Sequence, residues 1–448
     1  MIQIYYQYII ILLIILIFKY YRLTKEHLTD SDDKYKNKIY AYLSKPSYFI
    51  NEKIELKISS PFKKCKFELL NIHPKTNKIY NISINDYDII MEDKILTKSQ
   101  NIPKYSFASG CNWNTTYSFY LDKNLPSDLY IIKLSSNNIL HYLILTIKNH
   151  KPSSNNIILI NTNTWQAYNY FGGASLYTYK ISDTKYKILN GSISTQLSYD
   201  RPYLYSNNRI TEYLYLKKDK SYQGIHLIYN ELIFLKWCKL KSIKYDVITD
   251  YDLHYNYNIL PYKNFILCGH PEYWTPQMIE YINKYQQNNG NITSLGGNSI
   301  YRKISINYNI IKPYKNKPIS GTYVYNNSKY YYDIINNIVG NLYDKYGYRK
   351  YYDYKKIKDH WIYNGLTLKN NENICKTYKP LGHELDKIIN KNANILARGP
   401  YNTGLIIYNS SVGKGQIFSV GSITYCSCLL YEPNLSTITH NVIKKFEM

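Results

Sequence analysis

The chain has 448 residues and a formal net charge of +24, with 56 Lys plus Arg against 32 Asp plus Glu and 56 Tyr. That length exceeds one small core and points to roughly two to three domains. The lysines are scattered through an Asn-, Ile- and Tyr-rich composition, with no basic stripe and no nucleic-acid motif, so no nucleic-acid partner is expected. The 7 Cys contain no C-x-x-C pair, which excludes a disulfide scaffold and an ordinary zinc knuckle, although a Cys65–Cys111 bridge stays open.

Ile2–Phe18 carries no charge and is dense in Ile and Leu. No small-x-small cleavage site follows it, because Lys19-Tyr20-Tyr21-Arg22 is bulky and basic, so residues 1–22 read as an uncleaved single-pass membrane anchor, with a signal segment the alternative. The basic residues on its C-terminal side favour a cytosolic body, with the orientation left open. Residues 23–37 read as a polar tether.

Residues 38–150 read as a β-sandwich of immunoglobulin-like kind. Its expected strands are Ile54–Ser59, Lys66–Leu70, Tyr80–Ile84, Leu129–Leu134 and Tyr142–Ile147, separated by turn signals such as Ser60-Pro61. Trp113 is expected to pack its edge. At Lys151-Pro152 the pattern changes, and residues 151–448 read as one α/β domain with a mostly parallel sheet. Its expected strands are Ile157–Ile160, Tyr245–Ile248, Phe265–Leu267 and Asn291–Leu295, and later Ile395–Ala397, Leu405–Tyr408 and Gly415–Ser419. Helices are expected over 224–240, with Ile225, Ile228, Leu232 and Leu235 on one side, from Thr275 with Met278, Ile282 and Tyr285 buried, and over Asn434–Phe446. Residues 305–370 read as inserted loop and small helices.

The stretch Asn264–Trp274 draws the most attention. A short apolar run breaks at Gly269, and His270 and Glu272 then fall on a tight strand-to-helix turn that Thr275-Pro276 closes as a helix start. Thr164–Asn169, Asp250 and Asn298 stand at the carboxyl ends of the other expected strands, where open α/β sheets form their ligand crevices.

Five motifs follow in order: Thr164-Trp-Gln-Ala-Tyr168-Asn169, Gly172-Gly173-Ala-Ser175-Leu-Tyr177, Ser198-Tyr-Asp-Arg201-Pro202-Tyr203, Gly269-His270-Pro-Glu272-Tyr-Trp274 and Gly297-Asn298. In this order and spacing the chain resembles the large (beta) subunit family of N,N-dimethylformamidase, from about Tyr40 to the C-terminus. The resemblance implies a glutamine-amidotransferase-like α/β domain behind the sandwich, holding one mononuclear iron on two tyrosinates and a glutamate. Carried over by motif, the glutamate is Glu272 and one tyrosine is Tyr168. The second is Tyr203, with Tyr177 the fallback. His270 and Asn298 fall beside the metal or facing substrate, Thr164 stands where the family has a serine, and Glu384 matches another site carboxylate. The resemblance also implies a small amide-type substrate, a small partner subunit and a homo-oligomer.

The chemistry agrees with that reading. Phenolate and carboxylate oxygens suit Fe(III), a metal on three protein ligands keeps positions for water and a carbonyl, and an adjacent imidazole can move the proton. Two rivals stand beside it. Cys268, His270 and Glu272 match a cysteine-hydrolase set by residue type, although residues i, i+2 and i+4 across one turn rarely converge. The fold could also serve as a scaffold that binds a ligand or partner without turnover.

Overall fold

The structure is a computed structural model that describes residues 37–79, 81–182, 185–188, 196–215, 227–317, 321–322, 329–344 and 350–448. The expected anchor, the tether up to residue 36 and positions 224–226 lie outside the described residues. Among the described residues no helix is long and apolar enough to cross a membrane.

The N-terminal part is built from two sheets. Tyr40–Leu43, Ile54–Ser59 and Tyr117–Phe119 form a three-stranded one, and Tyr48–Phe49, Ile139–Lys148, Asp128–Ser136, Lys64–Pro74 and Tyr87–Leu96 a five-stranded one. Strict alternation in IELKIS turns Ile54, Leu56 and Ile58 inward, where they meet Phe67, Leu69, Tyr130, Ile132 and Leu134 of the other sheet in one core. The opposite face of Asp128–Ser136 is not solvated: Leu129 and Ile131 join a second core shared with the rest of the molecule.

Two expectations are corrected here. In place of a strand ending at Ile84, residues Ile84–Asp86 form a single 3-10 turn, held by the Asp86 carboxylate accepting from the Ser83 amide at 2.7 Å. A strand does follow, Tyr87–Leu96, but only Tyr87 and Ile95 are buried, so it carries little apolar pattern. No Cys65–Cys111 bridge exists, since all seven cysteines are free and buried. The Cys65 thiol rests instead against the Ser60 and Thr97 hydroxyls. Trp113 is buried against the Tyr42 ring.

The second part is organised by an eight-stranded sheet in the order Asp246–Thr249, Asn156–Ile160, Asn264–Gly269, Asn291–Gly296, Gln416–Ser419, Gly404–Asn409, Asn394–Arg398 and Lys355–Lys356. The first five strands run parallel and the last three antiparallel. Asn156–Ile160, Asp246–Thr249, Asn264–Gly269 and Asn291–Gly296 are buried almost throughout, which is why Ile157–Ile160 and Phe265–Cys268 read as unbroken apolar runs. After Asn156–Ile160 the chain crosses to one side to make Asp246–Thr249, then returns past it to Asn264–Gly269. The direction of winding therefore reverses between Asn156–Ile160 and Asn264–Gly269, and a crevice opens outside their carboxyl ends.

The helix after Thr275 spans Pro276–Gln287; the Thr275 hydroxyl accepts from the Met278 amide at 3.3 Å, and Met278, Ile282 and Tyr285 are buried. Ile228–Leu240 departs from the one-sided helix expected: every residue from Ile228 to Cys238 is buried. It lies between the large sheet and the five-stranded sheet, so its apolar residues have partners on all sides. The 305–370 region includes an antiparallel hairpin, Arg302–Asn307 with Ile310–Pro313, whose exposed edge positions blunt its alternation. The two parts also meet through polar contacts: the Ser47 hydroxyl donates to Asp252 at 2.7 Å, and His73, Asp128 and Tyr245 interlock at 2.9–3.0 Å.

Candidate active site

The strand Asn156–Ile160 ends at Asn161, and a short helix, Thr162–Tyr168, starts at once. Its residues Thr164 and Tyr168, four apart, share one face. On the neighbouring strand Gly269 takes φ +69°, and a methyl group there would lie 3.2 Å from the Asn230 Cβ. A residue with a side chain could not make this break without strain. The break releases His270-Pro271-Glu272 across the top of the sheet. The Thr164 hydroxyl accepts from the Glu272 amide at 3.2 Å, so the two walls of the crevice are bonded directly.

Glu272, only 2 % exposed, is the centre of the cluster. The Tyr168 hydroxyl stands 3.5 Å from one of its oxygens and the Tyr177 hydroxyl 3.3 Å from both. Tyr177 also bonds the Tyr273 hydroxyl, and its ring lies 4.5 Å from that of Tyr168 between centroids. His270 Nε2 stands 3.2 Å from Glu272 and 3.5 Å from Glu384, and Arg302 Nε lies 3.4 Å from Glu272. Asn298 donates from its side chain to Glu384 and from its backbone to Asp386, both at 2.8 Å. Asn298 and Ile300 both take positive φ, 50° and 52°, in the turn that this double grip holds.

The structure therefore brings together Thr164, Tyr168, Tyr177, His270, Glu272, Asn298 and Glu384. Tyr203 is not in that group. Its ring stacks on Trp165 at 6.1 Å, and the charges that act on its phenol are those of Tyr205, Arg209 and Glu231. What carries Tyr177 to Glu272 is Arg201, 1 % exposed. Its guanidinium donates to the carbonyls of Gln166, Phe171, Ala174 and Ser198 at 2.7–3.2 Å, folding the glycine-rich loop back over the helix. The Arg201-Pro202-Tyr203 motif thus serves the site through its arginine. Tyr273, Arg302, Asp386 and Glu231 escaped the sequence reading. Only Arg302 could have been found there, as the first of two cations opening the strand after Asn298.

Burial first, and Glu272 second, push the Tyr168 and Tyr177 phenols well above the ordinary tyrosine range. Burial works to lower the His270 pKa, but the bond to Glu272 and the charges of Glu272, Glu384 and Glu231 outweigh it and hold it above its usual value. Burial raises Glu384 and takes Asp386 up to about 7. The crevice thus gathers two phenols and two carboxyl groups, all shifted upward by burial, around one imidazole. Cys268 does not belong to it: the thiol is fully buried within the sheet, 3.9 Å from the Leu159 carbonyl, and burial pushes its pKa well above normal.

Among the described residues no group of three or more His, Cys, Asp and Glu side chains is gathered to hold a metal, so a metal here would rest on the phenols. The donor set suits a hard cation. Two phenols meet one carboxylate, and in so buried a place tyrosinates form only with positive charge beside them. Asn298 Oδ1 is buried without a hydrogen-bond partner among the described residues, leaving an acceptor for a guest.

The sequence pattern of the family described as N,N-dimethylformamidase beta subunit-like, C-terminal, matches residues 91–437, most of the chain. The chain belongs to that family. In this dimethylformamidase beta subunit-like chain the match takes in every member of the cluster, from Thr164 to Asp386, and the family's name is that of an amide hydrolase. No curated protein matches the chain. Among solved structures, "mmIFT52 N-terminal domain" is 15 % identical over 48 % of this chain and 89 % of that one, with a TM-score of 0.31. An exo-beta-1,4-mannosidase, Op5Man5 from Opitutaceae bacterium strain TAV5, is 9 % identical over 49 % of this chain and 30 % of that one, with a TM-score of 0.27. Likenesses that weak carry no argument about fold or function.

Proposed function

We propose that this chain hydrolyses the C–N bond of a small amide, using a mononuclear ferric iron held by Tyr168, Tyr177 and Glu272. The observation that carries the reading is the convergence of two buried phenol oxygens on one buried carboxylate, at 3.3–3.5 Å. Tyr177 takes the place that the motif order gives to Tyr203. A bound ferric ion would supply Lewis acidity, polarising a carbonyl and acidifying a water.

The remaining steps fall to the chain's own side chains. His270, 3.2 Å from Glu272 and 3.5 Å from Glu384, donates a proton to the departing nitrogen. Glu384, held by Asn298 and near His270, takes the proton of the attacking water and returns it through the imidazole. The Asn298 amide orients Glu384, and its free carbonyl oxygen accepts from an amide N–H. Thr164 fixes the Glu272 backbone and takes no part in proton transfer.

The same reading makes residues 38–150 an immunoglobulin-like sandwich and 151–448 an amidotransferase-like domain. Residues 1–22 would anchor the protein to a membrane, and the beta-subunit-like family name implies a smaller partner subunit and an oligomer. The test is bound metal and the visible spectrum of the purified chain. Iron near one per chain with a broad tyrosinate-to-iron charge-transfer band is expected. A colourless protein that refuses added iron would overturn the iron reading and favour a scaffold without turnover.

A further inference from the structure

Glu231 is 0 % exposed and stands in the first turn of Ile228–Leu240, yet it contacts nothing in the catalytic cluster. One of its oxygens accepts two bonds at 3.0 Å, from the Trp165 indole and from the Asn161 side chain. The same Asn161 amide donates to the Cys268 carbonyl at 2.7 Å. The other carboxylate oxygen has no hydrogen-bond partner among the described residues and lies 3.7 Å from where a Gly269 Cβ would be. One side chain therefore grips the start and middle of the helix that carries Thr164 and Tyr168. It also reaches, through Asn161, the strand that ends in His270 and Glu272, and it underlies the glycine where that strand breaks. The preceding residue extends the grip, since Asn230 donates to the Ile423 carbonyl at 3.0 Å.

A fully buried carboxylate held by two neutral donors is an expensive way to join elements, and an apolar residue of similar volume often serves a fold as well or better. What the carboxylate adds is a fixed orientation: both bonds converge on one atom, which holds the Asn161 amide in place to bond the Cys268 carbonyl and so ties the short helix to the neighbouring strand. We propose that Glu231 is a positioning residue that sets the spacing between Tyr168 and Glu272, an inference that rests on the site reading above for its link to iron.

The experiment compares full-length wild type with Glu231→Gln, Glu231→Leu and Trp237→Phe. Trp237 lies on the same helix, where its indole donates to Ser436 at 2.8 Å, and it serves as the fold control. Hydrogen exchange on metal-free protein tests the bracket by itself. Glu231→Leu should speed exchange at least tenfold in both 161–168 and 268–274 while leaving 276–287 unchanged. Glu231→Gln keeps an acceptor oxygen and should follow wild type. Unchanged exchange in Glu231→Leu, or the same pattern in Trp237→Phe, overturns the proposal. Iron titration then tests the link to the site: Glu231→Leu should bind iron roughly 10–100-fold more weakly, as loss of a group that orients metal ligands does, with a shifted charge-transfer band. Wild-type affinity and spectrum in that variant would also overturn the proposal. A wild type that binds no iron sinks the iron reading alone, because the exchange result still decides the role of Glu231.

Discussion

Replacing Tyr203 and Tyr177 in turn by phenylalanine should have opposite consequences, although both phenols are buried. The Tyr203 oxygen has no hydrogen-bond partner among the described residues, and burial keeps it neutral. A buried polar group left unpaired costs about 1–3 kcal/mol. Tyr203→Phe removes that penalty and keeps the ring stacked on Trp165. The variant should gain about 1 kcal/mol, a rise in Tm of roughly 1 °C in a chain of this size, with iron content unchanged. Tyr177→Phe removes a hydroxyl that contacts both Glu272 oxygens and Tyr273. It should lose most bound iron and the visible band while the fold persists. Metal analysis, absorption spectra and thermal melts on both variants decide the matter. Iron lost from Tyr203→Phe and retained by Tyr177→Phe would refute the geometric argument and restore Tyr203 as the second tyrosinate.

Arg201→Met strips the donors from four backbone carbonyls; a loss of about 4 kcal/mol is expected, read by denaturant unfolding, together with weaker iron binding. Gly297→Ala would drive a methyl group to 2.6 Å from the Ile423 nitrogen and 2.7 Å from the Ser422 carbonyl carbon. Backbone cannot yield as a side chain can, so roughly 1–3 kcal/mol should be lost, with activity falling further as Asn298 is displaced. Burial pushes the Asp250 carboxyl up to about 8, against its bonds to Thr162 and the Asn163 amide. Its folded pKa lies above the unfolded value of about 3.9, so its contribution is complete at acid pH and is lost as pH rises toward 8, by on the order of a few kcal/mol. Thermal melts from pH 4 to 8 should therefore fall more steeply for wild type than for Asp250→Asn. Alkylation of native protein with a thiol reagent should leave activity intact, because Cys268 is enclosed; stoichiometric inactivation with label on Cys268 would revive the cysteine-hydrolase reading.

The parallel strands, the Thr275 cap and the break at Gly269 were legible because each has a short-range cause: an apolar run, a hydroxyl before proline, a glycine at positive φ. From those alone His270, Glu272 and Asn298 could be put at strand ends. The partner of Tyr168 was not legible. Nothing local distinguishes Tyr177 from Tyr203 in so tyrosine-rich a chain, and the choice is made by Arg201, whose four acceptors come from two separate segments. Glu231 was hidden for a related reason: an acid in a helix's first turn ordinarily reads as a solvated charge facing the helix dipole, and only the packed structure reveals that no solvent reaches it. The strand Tyr87–Leu96 escaped because an edge strand with two buried positions carries almost no alternation to detect.

The order of strands in the large sheet has a consequence for synthesis. Asn291–Gly296 is flanked on one side by Asn264–Gly269 and on the other by Gln416–Ser419, a segment made more than a hundred residues later. Until it emerges, a nascent chain holds a nearly complete crevice beside an open parallel edge with unpaired backbone groups, the kind of surface that pairs with neighbouring chains. Chains halted before residue 416 should therefore aggregate rather than accumulate as soluble fragments, and a chaperone that covers a strand edge should matter most during that interval.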